Sequence, residues 1–357
     1  MDMVHLDDCR KLCMSLSQRS PRKKWADLGL RLCPAYQRPN HQQLCSKATN
    51  HPVKTMTIPA KPTLLGWGHV GIVYQISSQI VVKRRALNDD EGAFSHENRI
   101  FDLLERNPQC PSLVRSFFRT PSANFLQFVG DSLEIRLQRY QMRDPKTSQV
   151  LQVWYREPLN LVTRWIIELV DAVAILESLE LVHADIRPPN ILLDSRDRLK
   201  VIDFDSTTIQ GAPIQGAQPP YARVLGVEGG QDRGSFGDYG PRTEQFALGG
   251  IFYYMTRGYE PYDNEWFGHD HGPKIVELLQ EMKFPETGDD EIDTIIRKCW
   301  HGEYASIQAL KLDVIRLTSN NDAGITSIME KEEYEARRQE CEQLVKEGIL
   351  DVVPRAI

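Results

Sequence analysis

The sequence contains no apolar run that approaches eighteen residues, the length at which a membrane-spanning helix becomes a candidate. The opening stretch "MDMVHLDDCRKLCMSLSQRS" also lacks the continuous apolar core of a secretory signal. None of the seven cysteines lies in a C-x-x-C pair matched by a second pair, so the spacing disfavours zinc and favours free thiols. These absences predict an intracellular protein, cytoplasmic or nuclear, with no membrane partner.

The chain has no large excess of charge of either sign. Its 43 Lys and Arg residues against 49 Asp and Glu residues give a formal net charge of −6. Such a balance provides no general attraction to nucleic acid or to anionic membranes, and neither is expected as a partner. The 357 residues, 41% of them hydrophobic, are enough for one large domain or two modest ones. No pattern in the sequence indicates a particular oligomeric state.

Residues 1–60 differ from the rest of the chain in composition and in hydrophobic pattern. They contain basic clusters such as "QRSPRKKW", scattered Pro and Cys residues, and no sustained hydrophobic period. This composition predicts a poorly ordered N-terminal extension, with room for one short helix over residues 21–33. A docking or targeting arm, with "PRKK" as a weak nuclear-entry signal, is the alternative interpretation.

Residues 62–140 have the short apolar runs and turn residues that are typical of strands. The runs "TLLGWGHVGIVYQI" and "SQIVVKRRAL" predict a hairpin, and "SLVRSFFRT" and "SLEIRLQRY" predict further strands. Between these pairs, "DDEGAFSHENRIFDLLER" has an acidic first turn followed by apolar residues at helical spacing. The sequence thus predicts a small β-rich lobe that contains one helix.

After residue 140 the hydrophobic pattern becomes helical. The stretch over residues 160–182 and the stretch "TEQFALGGIFYYMTRG" are apolar nearly all round, which predicts two buried helices. "SIMEKEEYEARRQECEQLVKEG" predicts a long, highly charged helix near the end of the chain. The overall prediction is an α+β protein with an N-lobe of about 62–140, a helical C-lobe of about 141–318, and a charged C-terminal helix and tail over 319–357.

Three glycines lie between the two strands of the predicted hairpin, in the spacing Gly66-x-Gly68-x-x-Gly71-x-Val73. A dinucleotide-binding fold places such glycines between a strand and a helix, so the hairpin context argues against that fold. Glycines here let backbone N–H groups approach phosphate oxygens, although an ordinary hairpin turn would use them equally well.

Lys83 follows twelve residues after Gly71, on the strand that is predicted to pair with the glycine loop. Taken alone, a Lys near the end of a strand is more often a surface residue. A buried Lys at this place needs a carboxylate or a phosphate as its partner. Glu97, on the predicted helix that follows, is the natural candidate.

Three oxygen-bearing residues lie close together in "HADIRPPN" and "VIDFDS", namely Asp185, Asn190 and Asp203. The segments "ILLD" and "LKVID" predict two short strands that carry Asp203 back toward Asn190. Carboxylate and amide oxygens suit Mg²⁺, which takes few protein ligands, and Asp185 is then free to accept a proton. Any one of the three could instead cap a turn, but their joint spacing favours the functional interpretation.

The order of glycine loop, strand Lys, helix Glu, H-x-D-x-x-x-x-N and D-F-x resembles the eukaryotic protein kinase family. Over roughly residues 62–318 the chain is similar, more narrowly, to the short kinase-like proteins of fungi. The resemblance implies a bilobal fold that uses ATP and Mg²⁺. It implies these roles: Gly66, Gly68, Gly71 and Val73 at the nucleotide, Lys83 at its phosphates and paired with Glu97, His183 positioning the loop, Asp185 as catalytic base, and Asn190 and Asp203 as Mg²⁺ ligands. Glu244 stands where the family usually has Asp.

The chain departs from the family pattern at several positions. Ala184 replaces the Arg that normally pairs with a phosphorylated activation segment, and Arg187 replaces the loop Lys. Asp205 replaces the Gly of the metal-binding triplet, and no A-P-E motif follows. Because Gly would let the backbone flip, Asp205 predicts a site that is fixed in one state.

Three functions are consistent with these residues. The leading hypothesis is an ATP- and Mg²⁺-dependent protein kinase that acts on Ser and Thr hydroxyls. A pseudokinase, which is a nucleotide-binding or scaffold module without catalysis, is supported by the missing Arg, Gly and A-P-E. A small-molecule kinase of the aminoglycoside or choline phosphotransferase kind is supported by H-x-D-x-x-x-x-N followed by "VIDFD". That class usually has a long helical segment between the two lobes and the H-x-D motif, for which only residues 141–182 are available here.

Overall fold

The structure is a computed structural model of the chain and describes residues 62–68, 70–87, 92–107, 109–214, 216, 218–288, 290–317 and 328–354. All of these residues belong to the compact unit formed by residues 59–357. The extension predicted over residues 1–60, with its short helix, lies outside the described residues, as does the boundary predicted near residue 318.

A five-stranded antiparallel sheet forms the first part of the described chain, and its strands pair in the order β1-β2-β3-β5-β4. The strands are β1 (Thr63–Trp67), β2 (Gly71–Gln75), β3 (Ile80–Arg85), β4 (Ser116–Thr120) and β5 (Ala123–Gln127). The central strand β3 is buried over its first five residues, as expected for a strand that is covered on both faces.

Helix α1 (Ala93–Arg106) connects β3 to β4. Its apolar residues Phe94, Ile100 and Phe101 recur at helical spacing and are buried. Glu97 lies on the same face and is also buried, one turn from Phe94 and Phe101. The helix therefore brings a carboxylate into the interior, where it requires a partner.

The stretch "SLEIRLQRY", predicted to be a strand, is instead helical, and α2 spans Leu133–Gln138. The alternation of Leu133, Ile135 and Leu137 is typical of a strand, but Ile135 is 48% exposed while the two leucines, four residues apart, are buried. Ser132 begins the helix, because its Oγ accepts a hydrogen bond from the Ile135 N–H at 3.2 Å. The N-cap and the four-residue spacing thus decide the conformation.

A short hairpin of β6 (Gln141–Arg143) and β7 (Val150–Val153) follows α2. The predicted lobe boundary near residue 140 falls between α2 and this hairpin. The five-stranded sheet itself ends earlier, at Gln127.

Helices predominate over strands in the remaining described chain. They are α3 (Leu159–Ser178), α4 (Pro241–Arg257), α5 (His271–Gln280), α6 (Glu291–His301), α7 (Ile307–Ile315), α8 (Lys331–Lys346) and α9 (Ile349–Val352). Two short antiparallel pairs lie among them: β8 (Leu181–Val182) with β11 (Thr208–Ile209), and β9 (Ile191–Leu193) with β10 (Leu199–Val201). The sheet and the helices together give the predicted α+β class.

Helix α4 is buried all round, as predicted, since every residue from 244 to 255 is buried. Gly249 lets α6 approach it closely, because a Cβ at this position would lie 2.9 Å from the Cβ of Cys299. The long charged helix predicted near the end of the chain is also confirmed, as α8. No helix in the described part of the chain is long and apolar enough to cross a membrane.

The glycine loop offers a test of packing against the sheet. A Cβ at Gly71 would overlap with the backbone carbonyl oxygen of Arg84 on β3, whereas nothing lies within 4 Å of a Cβ at Gly68. We expect Gly71→Ala to lower the free energy of unfolding by about 1–3 kcal/mol, because a backbone oxygen cannot move aside. Gly68→Ala, the matched control, should stay within about 0.5 kcal/mol of the wild type. Urea denaturation measures both values, and equal stabilities would contradict the structure.

Candidate functional site

The glycine loop joins β1 to β2, and the Gly68 N–H donates to the carbonyl of Gly71 at 2.8 Å. Nothing lies within 4 Å of a Cβ placed at Gly66 or Gly68, whereas Gly71 packs against β3. Only the first two glycines therefore leave open space beside the backbone. Val73, also expected at the nucleotide, lies opposite Lys83 in the β2–β3 pair.

Lys83 lies on the central strand and is buried. Its Nζ donates to Glu97 Oε1 at 3.0 Å and lies 2.9 Å from Glu97 Oε2. The same Nζ donates to Asp203 Oδ1 at 2.7 Å. Because Glu97 belongs to α1 and Asp203 follows β10, one ammonium joins three elements that are distant in the sequence.

Burial and the contacts with neighbouring charges shift the pKa values of Lys83, Asp203 and Glu97 in opposite directions. Burial would lower the pKa of Lys83, but the charges of Asp203, Glu97 and Asp205 outweigh it and raise that pKa above its ordinary value. Burial also favours the neutral form of Asp203, yet the ammonium holds the pKa of this carboxyl below its ordinary value. For Glu97, burial dominates and raises the pKa despite the contact with Lys83. One ammonium thus serves one buried carboxylate, Glu97, and one half-buried carboxylate, Asp203.

Asp185 and Asn190 lie on the loop between β8 and β9. Asn190 Nδ2 donates to Asp185 Oδ2 at 2.7 Å and to the Asp185 carbonyl at 3.0 Å. The β9–β10 pair then returns the chain, and the Ile202 N–H donates to the Asn190 carbonyl at 3.0 Å, which places Asp203 beside this loop. The structure therefore brings together the three residues that the sequence singled out.

The described residues contain no group of three or more His, Cys, Asp or Glu side chains that is arranged to hold a metal. A metal at this site would be held by few protein ligands, which is the mode that Mg²⁺ commonly uses. Asn190 and Asp203 are the residues that could provide them, as an amide oxygen and a carboxylate.

His183 is completely buried and connects the loop to α1. Its Nε2 donates to the Ile202 carbonyl at 3.0 Å, and its Nδ1 accepts from the Asp185 N–H at 3.3 Å, so these partners assign the proton to Nε2. The imidazole packs against Phe204 with ring centroids 5.5 Å apart, and Phe204 meets Phe101 edge-on at 5.2 Å. Contacts among these three rings thus tie the loop to α1.

Glu244, near the start of α4, holds the same loop from its other side. Its carboxylate accepts from the His183 N–H at 2.9 Å and from the Ala184 N–H at 3.3 Å. Burial raises the pKa of Glu244 above its ordinary value, although His183 and the two N–H groups oppose the shift. The structure thus gives Glu244 a definite task, which is to fix the backbone just before Asp185.

The environment of Asp185 makes its carboxylate more basic than usual. Burial raises the pKa of Asp185 to about 6, and the positive charge of Arg187 is the main opposing influence. Arg187 Nε lies 3.2 Å from Asp185 Oδ2, and Arg187 Nη1 donates to Gln218 at 2.8 Å. The guanidinium is thereby held beside the carboxylate.

The unusual residues at this site differ in their backbone conformation. Asp205, which replaces the family's Gly, is not among the residues with positive φ, so its side chain causes no left-handed strain. Asp203 and Ala184, with φ of 68° and 66°, do adopt the left-handed conformation. That Asp205 holds the site in one state stays a prediction.

One contact near the site was not predicted. A ring nitrogen of His96, the residue before Glu97, lies 2.5 Å from the backbone carbonyl oxygen of Thr207. This contact links α1 to the segment that follows Asp203, just before β11 pairs with β8. No local signal could reveal it, because the two residues are 111 positions apart and Thr207 takes part through its backbone.

Comparison with known proteins agrees with this geometry. Residues 63–306 match a family model described as protein kinase domain. The chain is 30% identical over 235 residues to human serine/threonine-protein kinase MRCK beta, an alignment that covers 61% of this chain and 13% of that protein. It is 25% identical over 247 residues to human citron Rho-interacting kinase, covering 63% of this chain and 11% of that protein. The chain therefore spans only a small part of the length of these relatives.

The contact between Glu244 and the loop can be tested through stability. Glu244→Ala removes the acceptor of two N–H groups, and we expect a loss of about 1–3 kcal/mol for each donor left without a partner. Glu244→Gln keeps one carbonyl oxygen as an acceptor, so its loss should be smaller. Denaturant unfolding of the two variants measures the difference, and equal losses would mean that the hydrogen bonds do not matter.

Proposed function

Because the chain belongs to the protein kinase domain family, we propose that it transfers the γ-phosphoryl group of ATP to Ser or Thr hydroxyls of proteins. The observation that carries this proposal is the ammonium of Lys83, which contacts both Glu97 and Asp203. An ammonium held in this way can meet phosphate oxygens with little reorganisation. The relative MRCK beta is a serine/threonine-protein kinase, which supports a protein as the substrate.

The residues present fit a nucleotide together with Mg²⁺. The open space beside Gly66 and Gly68 leaves room for phosphate oxygens next to backbone N–H groups. Asn190 and Asp203 would supply hard oxygen ligands. When bound, Mg²⁺ would neutralise part of the charge on the phosphate oxygens.

Asp185 is the proposed catalytic base. Within the described residues, its contacts with Asn190 Nδ2 and Arg187 Nε both fall on Oδ2, which leaves Oδ1 for a substrate hydroxyl. With a pKa of about 6, the carboxylate is ionised at neutral pH and is a stronger base than an ordinary Asp. The hydrogen bonds of His183 and Glu244 to this loop would keep the carboxylate in place.

A pseudokinase is the second candidate, and Ala184, Asp205 and the missing A-P-E motif favour it. A small-molecule kinase is the third, favoured by "VIDFD" alone. We also propose a cytoplasmic or nuclear location and a kinship with the short kinase-like proteins of fungi. Both of these proposals come from the sequence.

A substrate panel separates the three functions. Purified protein with Mg²⁺ and labelled ATP should phosphorylate a generic protein substrate but not a set of small alcohols. Asp185→Asn should reduce the rate by about 10²–10⁴-fold, because proton transfer to a positioned base contributes about that factor. The exposed Asp270→Asn is the matched control and should keep the wild-type rate. Nucleotide binding without transfer to either substrate class would establish the pseudokinase.

The pH dependence of the rate tests the base separately. Because burial raises the pKa of Asp185 to about 6, the base form is lost as the pH falls through 6, and not near the ordinary value of 3.8. The rate should therefore fall about tenfold per pH unit on the acid side. Arg187→Gln removes the charge that opposes the shift, so the acid limb should move to higher pH. An acid limb near pH 4, or an unchanged limb in Arg187→Gln, would show that Asp185 is not the base.

A further inference from the structure

Helix α8 lies beyond residues 63–306, the part of the chain that matches the protein kinase domain, yet it packs against β4 of the sheet. Cys341 and Leu344 of α8 are buried, as are Ile349 and Val353 in the segment that follows. These four buried apolar side chains show that α8 and the segment after it pack against the rest of the protein, although α8 is highly charged.

Tyr334 contributes a hydrogen bond and ring contacts to the packing of α8 against β4. Its hydroxyl donates to the backbone carbonyl of Ser116 at 3.2 Å. The guanidinium of Arg115 lies 4.8 Å from the ring centroid of Tyr334, and the ring of Phe117 lies 6.0 Å away. Burial, with a further contribution from the charge of Glu105, raises the pKa of Tyr334, so the hydroxyl remains a donor at neutral pH.

Ser116 also bonds to β5, the strand that pairs with β3 next to Lys83. Ser116 is 2% exposed, and its Oγ donates to Asn124 Oδ1 at 2.7 Å. Asn124, on β5, is completely buried and is the direct neighbour of Lys83 in the pairing of β3 with β5. A buried hydrogen bond of this kind fixes the relative position of two strands, since breaking it leaves polar groups without partners.

Ser116 also connects to the helix that carries Glu97. Arg119 Nη1 donates to Ser116 Oγ at 2.8 Å and to Glu105 Oε1 at 2.5 Å. Arg119 Nη2 donates to Asp102 Oδ1 at 2.6 Å. Asp102 and Glu105 both belong to α1, so a single guanidinium binds β4 to this helix.

From these two branches we propose that Tyr334 of α8 is a positioning residue for the pair of Lys83 and Glu97. Tyr334 holds Ser116, whose hydroxyl is shared between Asn124, beside Lys83, and Arg119, which binds α1. The helix beyond the matched domain thus supports both partners of the ion pair through β4. This inference rests on the proposed function, because the ion pair matters for phosphoryl transfer.

The test uses the full chain and four variants. Tyr334→Ala removes the ring of Tyr334 together with its hydrogen bond to Ser116, and Tyr334→Phe removes only the hydroxyl. Ser116→Ala keeps the carbonyl that Tyr334 contacts but removes the shared hydroxyl, and Ser116→Thr restores a hydroxyl. Arg338→Gln is the matched control in α8, because it breaks an exposed ion pair with Glu342 and leaves the hydrogen bond of Tyr334 to Ser116 in place.

The first readout is amide hydrogen exchange of α1, which does not depend on enzymatic activity. Tyr334→Ala and Ser116→Ala should each accelerate exchange in α1 by about fivefold or more, and the double variant should add little to either. Ser116→Thr and Arg338→Gln should match the wild type. If Tyr334→Ala fails to fold, Tyr334→Phe takes its place, with a smaller acceleration. Unchanged exchange in α1 for both Tyr334→Phe and Ser116→Ala would overturn the proposal.

The second readout is the split between kcat and KM. Ser116→Ala should lower kcat about 10- to 100-fold, because the ammonium of Lys83 is misplaced, and should change the KM for the protein substrate little. Ser116→Thr should recover most of kcat, which loss of general stability would not predict. If the wild type transfers no phosphate, the proposed function fails, while hydrogen exchange still decides whether Tyr334 positions α1.

Discussion

The buried ammonium of Lys83 is the interaction on which the rest of the site depends. A cation in the middle of a sheet needs carboxylate partners, since the free-energy cost of burying an unpaired charge can exceed the free energy of unfolding of a domain. One carboxylate arrives on α1 and the other on the segment after β10. Neither element can move away without leaving charge unpaired in the interior. The positions of Glu97 and Asp203 are therefore coupled, although no backbone hydrogen bond needs to join the two elements.

The helical part of the protein holds the second half of the site by different means. The buried carboxylate of Glu244 fixes two backbone N–H groups of the loop, and the rings of His183, Phe204 and Phe101 extend from that loop to α1. Polar contacts thus set the path of the loop, and apolar packing sets its distance from the helix. Asp185 is placed by both, which is why a carboxylate with so few contacts of its own keeps a definite position.

Much of this arrangement follows from local sequence patterns, and the exceptions have physical reasons. The hairpins, the buried helix α4 and the nearness of Lys83 to Glu97 all depend on spacing within a few tens of residues. Helix α2 escaped prediction because Leu133, Ile135 and Leu137 together satisfy the strand period, whereas the helix buries only the two leucines, four residues apart, and begins at the cap on Ser132. Gly71 is required by the carbonyl of Arg84, a neighbour that the glycine pattern does not reveal. The links from His96 to Thr207 and from Tyr334 to Ser116 span 111 and 218 positions, beyond the reach of any periodicity.

The packing of α8 against β4 also has a consequence for folding during synthesis. The sheet is complete once β5 has been synthesised, but the outer face of β4 stays uncovered until residues 331–346 have followed. During that interval the ring of Phe117, which lies 6.0 Å from that of Tyr334 in the folded protein, would lack this neighbour. The contact between Tyr334 and Ser116 closes a loop of 218 positions, which is slow compared with forming the local hairpins. The contact of Tyr334 with Ser116 therefore cannot form until 218 further residues of the chain have been synthesised after Ser116.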